Sequence, residues 1–450
     1  MTDTICAIST ALGVGAISII KVSGSEAIDI VNKVFSVDIK KVKTHTIHYG
    51  FIKDKEEIID EVLVTVMHAP KTFTRENVVE INCHGGIATT NKVLELLLTN
   101  GCRLAEPGEF TKRSFLNGRI DLMEAEAVMD LINSKTEEAR KIAIQGLKGR
   151  GSKLISNLRK DLVNIISNIE VNIDYPEYND IYEVTVNDIK EKVDYFNDKL
   201  NEIVKEYENG KILSNGINTV IVGRPNVGKS SILNKLLNDN KAIVTDIPGT
   251  TRDIVEGSIS FNGIQLNIID TAGIRATNDV VEKIGVEKSI SKIDEADLVL
   301  IILNNNEPLI EDDLDIINKT NDKPSIIVIN KNDLESKLDI SKLNGKEIIY
   351  TNTIDDNGIE TLKNKISEMF NLEELKHKDY NYITNVRQIS KIKDCINHLK
   401  DVKDALNNNE SLDIIEIDLK EIWNTLGEII GESYNEELLD ELFSKFCVGK

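Results

Sequence analysis

The sequence predicts a multidomain chain of α/β and α class, in which an α/β domain is inserted into an α-helical domain and an α+β domain precedes both. Three observations predict this. Residues 216–372 alternate β-branched apolar runs with helical segments, as a parallel α/β domain does. Apolar residues recur at helical spacing from about Asp121 to Lys211 and again over 385–446. Residues 1–118 carry short strand-like runs and one helical stretch. The C-terminal helical tail, about 65 residues, would be marginal alone. Packing it against the helices of 120–210 makes the α/β segment an insertion. The expected domains are 1–118, 119–214 (helical, first part), 215–375 (α/β) and 376–450 (helical, second part, ending in Cys-Val-Gly-Lys).

The elements follow in order. Ala16–Val22, Glu61–Val66 and Asn77–Asn82 are rich in β-branched residues and read as strands. Thr89–Leu98 reads as a helix, and Pro107-Gly108-Glu109 punctuates. Leu122, Ala125, Val128, Met129 and Ile132 mark one helical face. Leu154, Leu158, Leu162, Ile165, Ile166 and Ile169 mark another. Asp174-Tyr175-Pro176 interrupts, and an acidic helix runs from about Asn187 to Glu208.

The 450 residues carry a net charge of −21, unevenly spread: residues 1–150 hold 19 basic against 20 acidic residues. A global acidic balance argues against non-specific nucleic-acid binding, which rests on phosphate neutralisation. A basic patch is best sought near the N-terminus. No stretch approaches the roughly 18 apolar residues of a membrane span, and the start lacks a signal-peptide pattern. A cytoplasmic protein with no membrane partner is expected. The five cysteines are scattered without a Cys-x-x-Cys pair, so reduced thiols are expected rather than disulfides or zinc.

Gly223-x-x-x-x-Gly228-Lys229-Ser230 is a P-loop pattern between a strand, Thr219–Val222, and a helix beginning near Ser231. Successive N–H groups of Asn226, Val227, Gly228, Lys229, Ser230 and Ser231 at a helix N-terminus make an anion cradle. Lys229 would reach the β- and γ-phosphates, and Ser230 would ligate Mg²⁺. Asp270-Thr271-Ala272-Gly273 follows a strand, with Asp270 on Mg²⁺ through water and the Gly273 N–H at the γ-phosphate. Asn330-Lys331-Asn332-Asp333 follows another strand. The Asp333 carboxylate can accept N1–H and the exocyclic amine of guanine, which selects GTP over ATP. These motifs resemble translation-factor-like P-loop GTPases over about 216–370. The last guanine-contacting motif of that family is replaced here by Thr351-Asn352-Thr353.

Ile274 stands where small GTPases place a water-orienting Gln. Another carboxylate or an extra cation must substitute. Glu282 and Glu287 are the carboxylates downstream. Thr245-Asp246-Ile247-Pro248-Gly249-Thr250-Thr251 is rich in carbonyl and hydroxyl oxygens, with Thr251 positioned as the Mg²⁺-ligating switch threonine. With Asn226, such oxygens suit a monovalent cation beside the phosphates.

The motif set resembles the MnmE (TrmE) family of tRNA-modification GTPases. The likeness extends to Glu76–Gly86, Pro107–Arg119 and the terminal Cys447-Val448-Gly449-Lys450, and so spans essentially the whole chain. It implies that Glu282 orients the hydrolytic water. It implies K⁺ held by Asn226, Thr250 and the carbonyls of Thr245 and Ile247, with hydrolysis stimulated when two GTPase domains meet in a homodimer. It implies an N-terminal domain that dimerises and binds a tetrahydrofolate derivative, 5,10-methylene- or 5-formyl-tetrahydrofolate, through Lys21, Glu80, Arg119 and Lys450. The family often has Arg at Lys21 and Lys at Arg119, which keeps charge but changes donor geometry. It implies modification of wobble uridine C5 in certain tRNAs with the flavoprotein MnmG in a heterotetramer. FAD enters through that partner, since this chain has no Gly-x-Gly-x-x-Gly fingerprint. For Cys447, a packed thiol and a reactive, catalytic thiol both stand. The alternative function is an Era/Der-type ribosome-assembly GTPase, against which 385–450 shows neither a Gly-x-x-Gly loop nor a basic stripe.

Overall fold

The computed structural model describes residues 3–174, 186–238, 257–261, 264–269, 292–343, 345–352, 358–372, 383 and 385–449. They form two compact units: residues 1–129, 146–200 and 390–450, and residues 130–145 and 201–389.

The first unit opens with a six-stranded sheet of order β3-β4-β5-β2-β1-β6. Its strands are β1 (Ile5–Ile8), β2 (Ile17–Ser23), β3 (Thr46–Asp54), β4 (Glu57–Met67), β5 (Val78–His84) and β6 (Arg103–Leu104). All neighbours are antiparallel except β1 and β6. Helices α1 (Ala27–Val34) and α2 (Ile87–Thr99) cover one face. Ile20 and Val22 of β2 and Val79 and Ile81 of β5 join Ile30, Val31, Val93 and Leu97 in that core. The two-residue period then turns Lys21 and Glu80 to the other face. There Ile5, Ala7, Ala105 and Phe110 form a smaller cluster with Phe73 against it. Phe110 comes from α3 (Glu109–Leu116), which begins directly after the Pro107-Gly108 turn.

The chain then runs in helices, α4 (Leu122–Asn133), α5 (Glu137–Leu147), α6 (Arg150–Asp174) and α7 (Val186–Asn215), of which α6 lies wholly in this unit and most of α5 in the second. The boundary between the units falls within α4, α5, α7 and the helix Val386–Asn407. The C-terminal helices follow the second unit in the chain. Arg159 of α6 is buried, stacks over the Trp423 ring at 4.1 Å and donates from Nε to the Trp423 carbonyl at 3.2 Å. Lys420 reaches Glu170 at 2.7 Å, and Lys403 reaches Asp194 at 2.8 Å. These contacts hold the C-terminal helices to α6 and α7.

The second unit is built on a sheet of order β12-β11-β10-β7-β9-β8. Its elements are β7 (Ile217–Val222), α8 (Lys229–Asn238), β8 (Gly257–Phe261), β9 (Ile264–Ile269), β10 (Leu298–Asn304), α9 (Glu311–Lys319), β11 (Ser325–Asn330), β12 (Glu347–Tyr350) and α10 (Ile359–Met369). β10 and β11 are buried along their whole length, as covered parallel strands are. The all-parallel expectation needs one correction. β8 pairs antiparallel with β9, so the sheet is mixed. Only two residues separate Phe261 from Ile264, far too few for a parallel crossover. Ile142 of α5 packs into the core of this unit.

The closing helices of the first unit are α11 (Val386–Asn407), α12 (Leu412–Ile430) and α13 (Glu436–Ser444). No helix among the described residues is long and apolar enough to cross a membrane.

Candidate functional site

β7 ends at Val222, and the chain turns through Gly223–Gly228 into α8. Two glycines are required by this turn. Gly223 has φ +150°, and a Cβ there would sit 2.5 Å from the Ile302 carbonyl oxygen. Gly228 has φ +100°, and its Cβ would sit 2.1 Å from Asn330 Nδ2. Between them Asn226 adopts φ +62°, a region Asn tolerates better than most residues. Val227 is buried and pins the loop, whereas Asn226, Ser230 and Ser231 are exposed.

Lys229 is buried, and its ammonium donates to the carbonyls of Gly223 at 3.0 Å and Arg224 at 2.7 Å. The cation is thereby folded back over the mouth of the loop, where it faces the anion cradle at the α8 N-terminus. Arg224 is held outward, with Nε on Asp313 at 2.8 Å and Nη2 on Glu307 at 3.3 Å.

The loop after β11 meets this turn directly. Asn330 is buried and donates from Nδ2 to the Val227 carbonyl at 3.0 Å. Lys331, at φ +61°, donates from Nζ to the Asn226 carbonyl at 3.0 Å. The Thr351 hydroxyl donates to Asn330 Oδ1 at 3.4 Å, and the Thr351 carbonyl accepts from the Asn332 N–H at 3.2 Å. Thr351, which sequence reasoning left without a role, therefore locks the Asn-Lys-Asn-Asp loop onto the P-loop. The signal was the order of motifs: a hydroxyl residue directly after β12. Asp333 stands exposed on this loop.

Thr245, Asp246, Ile247, Pro248, Gly249, Thr250, Thr251, Asp270, Thr271, Ala272, Gly273, Glu282, Glu287 and Lys450 lie outside the described residues.

A second cluster occupies the open face of the first sheet. Lys21 and Glu80 are direct cross-strand partners, and Lys21 Nζ lies 4.0 Å from Glu80 Oε1. The same ammonium lies 5.3 Å from the Phe110 ring centre and 5.9 Å from that of Phe73. The Arg119 guanidinium stacks on Phe73 at 4.9 Å. Two cations, one carboxylate and two aromatic faces thus converge. Phe110 is fully buried core, as a lone Phe reads, while the half-buried Phe73 was missed for the same reason. The C-terminal tail comes to the same sheet. Gly449 has φ +88°, with a would-be Cβ 2.5 Å from the Ile8 carbonyl, and its own carbonyl accepts from the Ser9 hydroxyl at 3.2 Å. The Gly108 N–H donates to the Cys447 carbonyl at 3.2 Å. Cys447 is exposed, so the packed-thiol reading fails; the backbone is docked and the thiol is not.

Family models match most of the chain. Residues 4–119 match the GTP-binding protein TrmE N-terminus, and residues 122–447 match the MnmE helical domain. Curated relatives named tRNA modification GTPase MnmE include those of Bacillus mycoides (49% identical over 455 residues), Staphylococcus epidermidis (49% over 456) and Geobacillus thermodenitrificans (48% over 458). Each alignment covers 100% of this chain and 99% of the relative. Solved structures similar to part of the chain include the G domain of the T. maritima FeoB iron transporter. It is 24% identical, covers 34% of this chain and 98% of that one, and has a TM-score of 0.25.

Proposed function

The chain belongs to the tRNA modification GTPase MnmE family, and from that premise we propose a GTP hydrolase that modifies tRNA. With a flavin-dependent partner of the MnmG type, it installs an aminomethyl or carboxymethylaminomethyl group at C5 of the wobble uridine of certain tRNAs. One observation carries this reading: a P-loop locked by the Val227–Asn330–Thr351 hydrogen bonds and a cation–aromatic cluster at Lys21 and Arg119 coexist in one chain. A nucleotide switch alone has no use for the second cluster.

In this reading the Gly223–Ser231 loop cradles the phosphates, and Lys229 exchanges its loop carbonyls for phosphate oxygens. Asp333 accepts from the guanine edge. Ser230 and Thr251 hold Mg²⁺, and Asn226, Thr250 and the Thr245 and Ile247 carbonyls hold K⁺. The exposed Asn226 side chain, on a backbone turned to positive φ, fits a ligand at the mouth of the loop. Bound cations supply positive charge against the phosphates. Glu282 orients the attacking water, and two such domains facing each other in a homodimer complete the site.

The Lys21 cluster fits a tetrahydrofolate derivative by its chemistry. Glu80 accepts from a pterin amine edge, the half-buried Phe73 packs on a ring, and Arg119 with Lys450 meets carboxylates. The bound folate supplies a one-carbon unit. The 1–118 segment is its domain, and the 215–375 domain is an insertion between the helical parts 119–214 and 376–450.

The test reconstitutes the full chain with the flavin partner and unmodified tRNA, varying GTP, K⁺ and folate donor independently, and reads nucleosides by mass spectrometry. The expected result is a modified wobble uridine only when all three are present. GTP hydrolysis without any change in uridine would reject the tRNA reading and favour the Era/Der-type alternative.

A further inference from the structure

The Arg119 guanidinium is held by one contact. It lies 4.9 Å from the Phe73 ring centre and makes no side-chain hydrogen bond or ion pair among the described residues. An aromatic face orients a guanidinium without occupying its N–H donors, which a carboxylate partner within the protein would consume. Where Arg119 stands therefore depends on where Phe73 stands.

Phe73 lies in the connection from β4 to β5, and two sets of hydrogen bonds hold it. On the β2 side, the buried Ser23 sits two residues from Lys21 and gives its hydroxyl proton to Glu76 Oε2 at 2.7 Å. With that proton committed, Ser23 accepts from the buried Thr74 hydroxyl at 2.7 Å. Arg113 of α3 pairs with Glu76 at 3.2 Å. On the α3 side, Asn117 closes the helix and bonds the turn in both directions. Its Nδ2 donates to the Thr74 carbonyl at 2.7 Å, and its own carbonyl accepts from Arg75 Nη1 at 2.8 Å. Arg75 makes that bond from backbone at φ +59°, a strained place for a residue other than glycine. Thr74 follows Phe73 directly, and Arg119 comes two residues after Asn117, with its N–H on the Ser114 carbonyl at 2.9 Å. The ring and the guanidinium thus hang on either side of one latch.

We propose that Asn117, with Arg75, positions Arg119 for the carboxylate end of a folate-type ligand. Asn117 touches no ligand; it acts by keeping Phe73 under the guanidinium, whose donors stay open. This rests on the folate reading of the Lys21 cluster.

A double-mutant cycle on the full chain, read by equilibrium dialysis against 5-formyltetrahydrofolate, tests the latch. Arg119→Ala should weaken binding about tenfold, the worth of a charge-assisted hydrogen bond. Asn117→Ala should weaken it about fivefold in the native background, and by nothing further once Arg119 is alanine. A substitution that merely loosened the fold would lower affinity by the same factor in both backgrounds. Arg75→Gly removes the other bond, and glycine accepts φ +59° without strain, so the turn is kept. It should show the same dependence on Arg119. Full affinity in Arg119→Ala, full affinity in both latch variants, or losses that multiply with that of Arg119→Ala would overturn the latch and leave the folate site standing. No binding by the wild-type chain would reject the folate site and the latch with it.

Discussion

Cys447 is the exposed thiol of the chain, while Cys6, Cys83, Cys102 and Cys395 are buried. Burial pushes the Cys395 thiol up to about 12 and the Cys83 thiol upward as well. Cys6 is raised first by its hydrogen bond with Cys102. Since the thiolate is the nucleophile, one equivalent of a colourimetric thiol reagent should react with the native chain, at Cys447. Five should react after denaturation, and peptide mapping checks the site. Solvent access of this kind cannot be read from five scattered letters. A second contrast lies on β4 and β5. Asp60 is buried beneath an exposed His84, accepts from its main-chain N–H at 2.8 Å and pairs with its Nδ1 at 2.6 Å. That hydrogen bond raises the His84 pKa above 6.5. A raised folded-state value means the pair stabilises fully below the unfolded histidine's pKa near 6.5, and that contribution fades as pH climbs through the folded value. An NMR titration should place the His84 midpoint above the ordinary value, and Asp60→Asn should bring it back down. An unchanged midpoint would remove Asp60 as the cause.

The strand–turn–helix from β7 to α8 was legible because each part of it is a local rule. A buried apolar strand, two glycines at fixed spacing and a lysine opening a helix need no distant partner to be recognised. What the motif could not reveal is why Gly228 is needed beyond the approach of a phosphate. Its backbone lies under Asn330 Nδ2, more than a hundred residues away in sequence. A methyl group there adds strain at φ +100° and a clash at 2.1 Å. Gly228→Ala should therefore cost on the order of 1–3 kcal/mol in urea denaturation. It should also sever Asn330 from Val227 and weaken fluorescent GDP binding sharply. Retained affinity would show that the loop yields instead. The β8–β9 pair has the opposite character. Its antiparallel pairing is dictated by a two-residue link, a local fact that the broader strand–helix alternation obscured.

In the first unit the last residues of the chain return to the first strand. Gly449 sits against Ile8 and Ser9, and Cys447 is bonded to Gly108, which opens α3. Phe443 and Phe446 fill the space between Phe115, Leu122 and Leu439. The terminus is thus fixed beside the sheet that carries Lys21 and Glu80. Gly449→Val, strained at φ +88° and blocked by the Ile8 carbonyl, should loosen that docking. If the tail contributes to the proposed folate site, 5-formyltetrahydrofolate should bind the variant more weakly in equilibrium dialysis, with basal GTP hydrolysis unchanged. Equal binding would free the tail from that role.

Sequence alone carried the strand–turn–helix of the P-loop, the helical texture on both sides of the α/β segment and the family. Each rests on short-range spacing, which backbone geometry translates directly into structure. Folding was needed to bring Phe73 and Phe110 under Lys21 and Arg119, Thr351 onto Asn330, Asn117 to Thr74, and Gly449 to β1. Those meetings join residues far apart in the chain. They depend on which strands pair and which helices pack, and burial of apolar surface across a whole unit selects that arrangement.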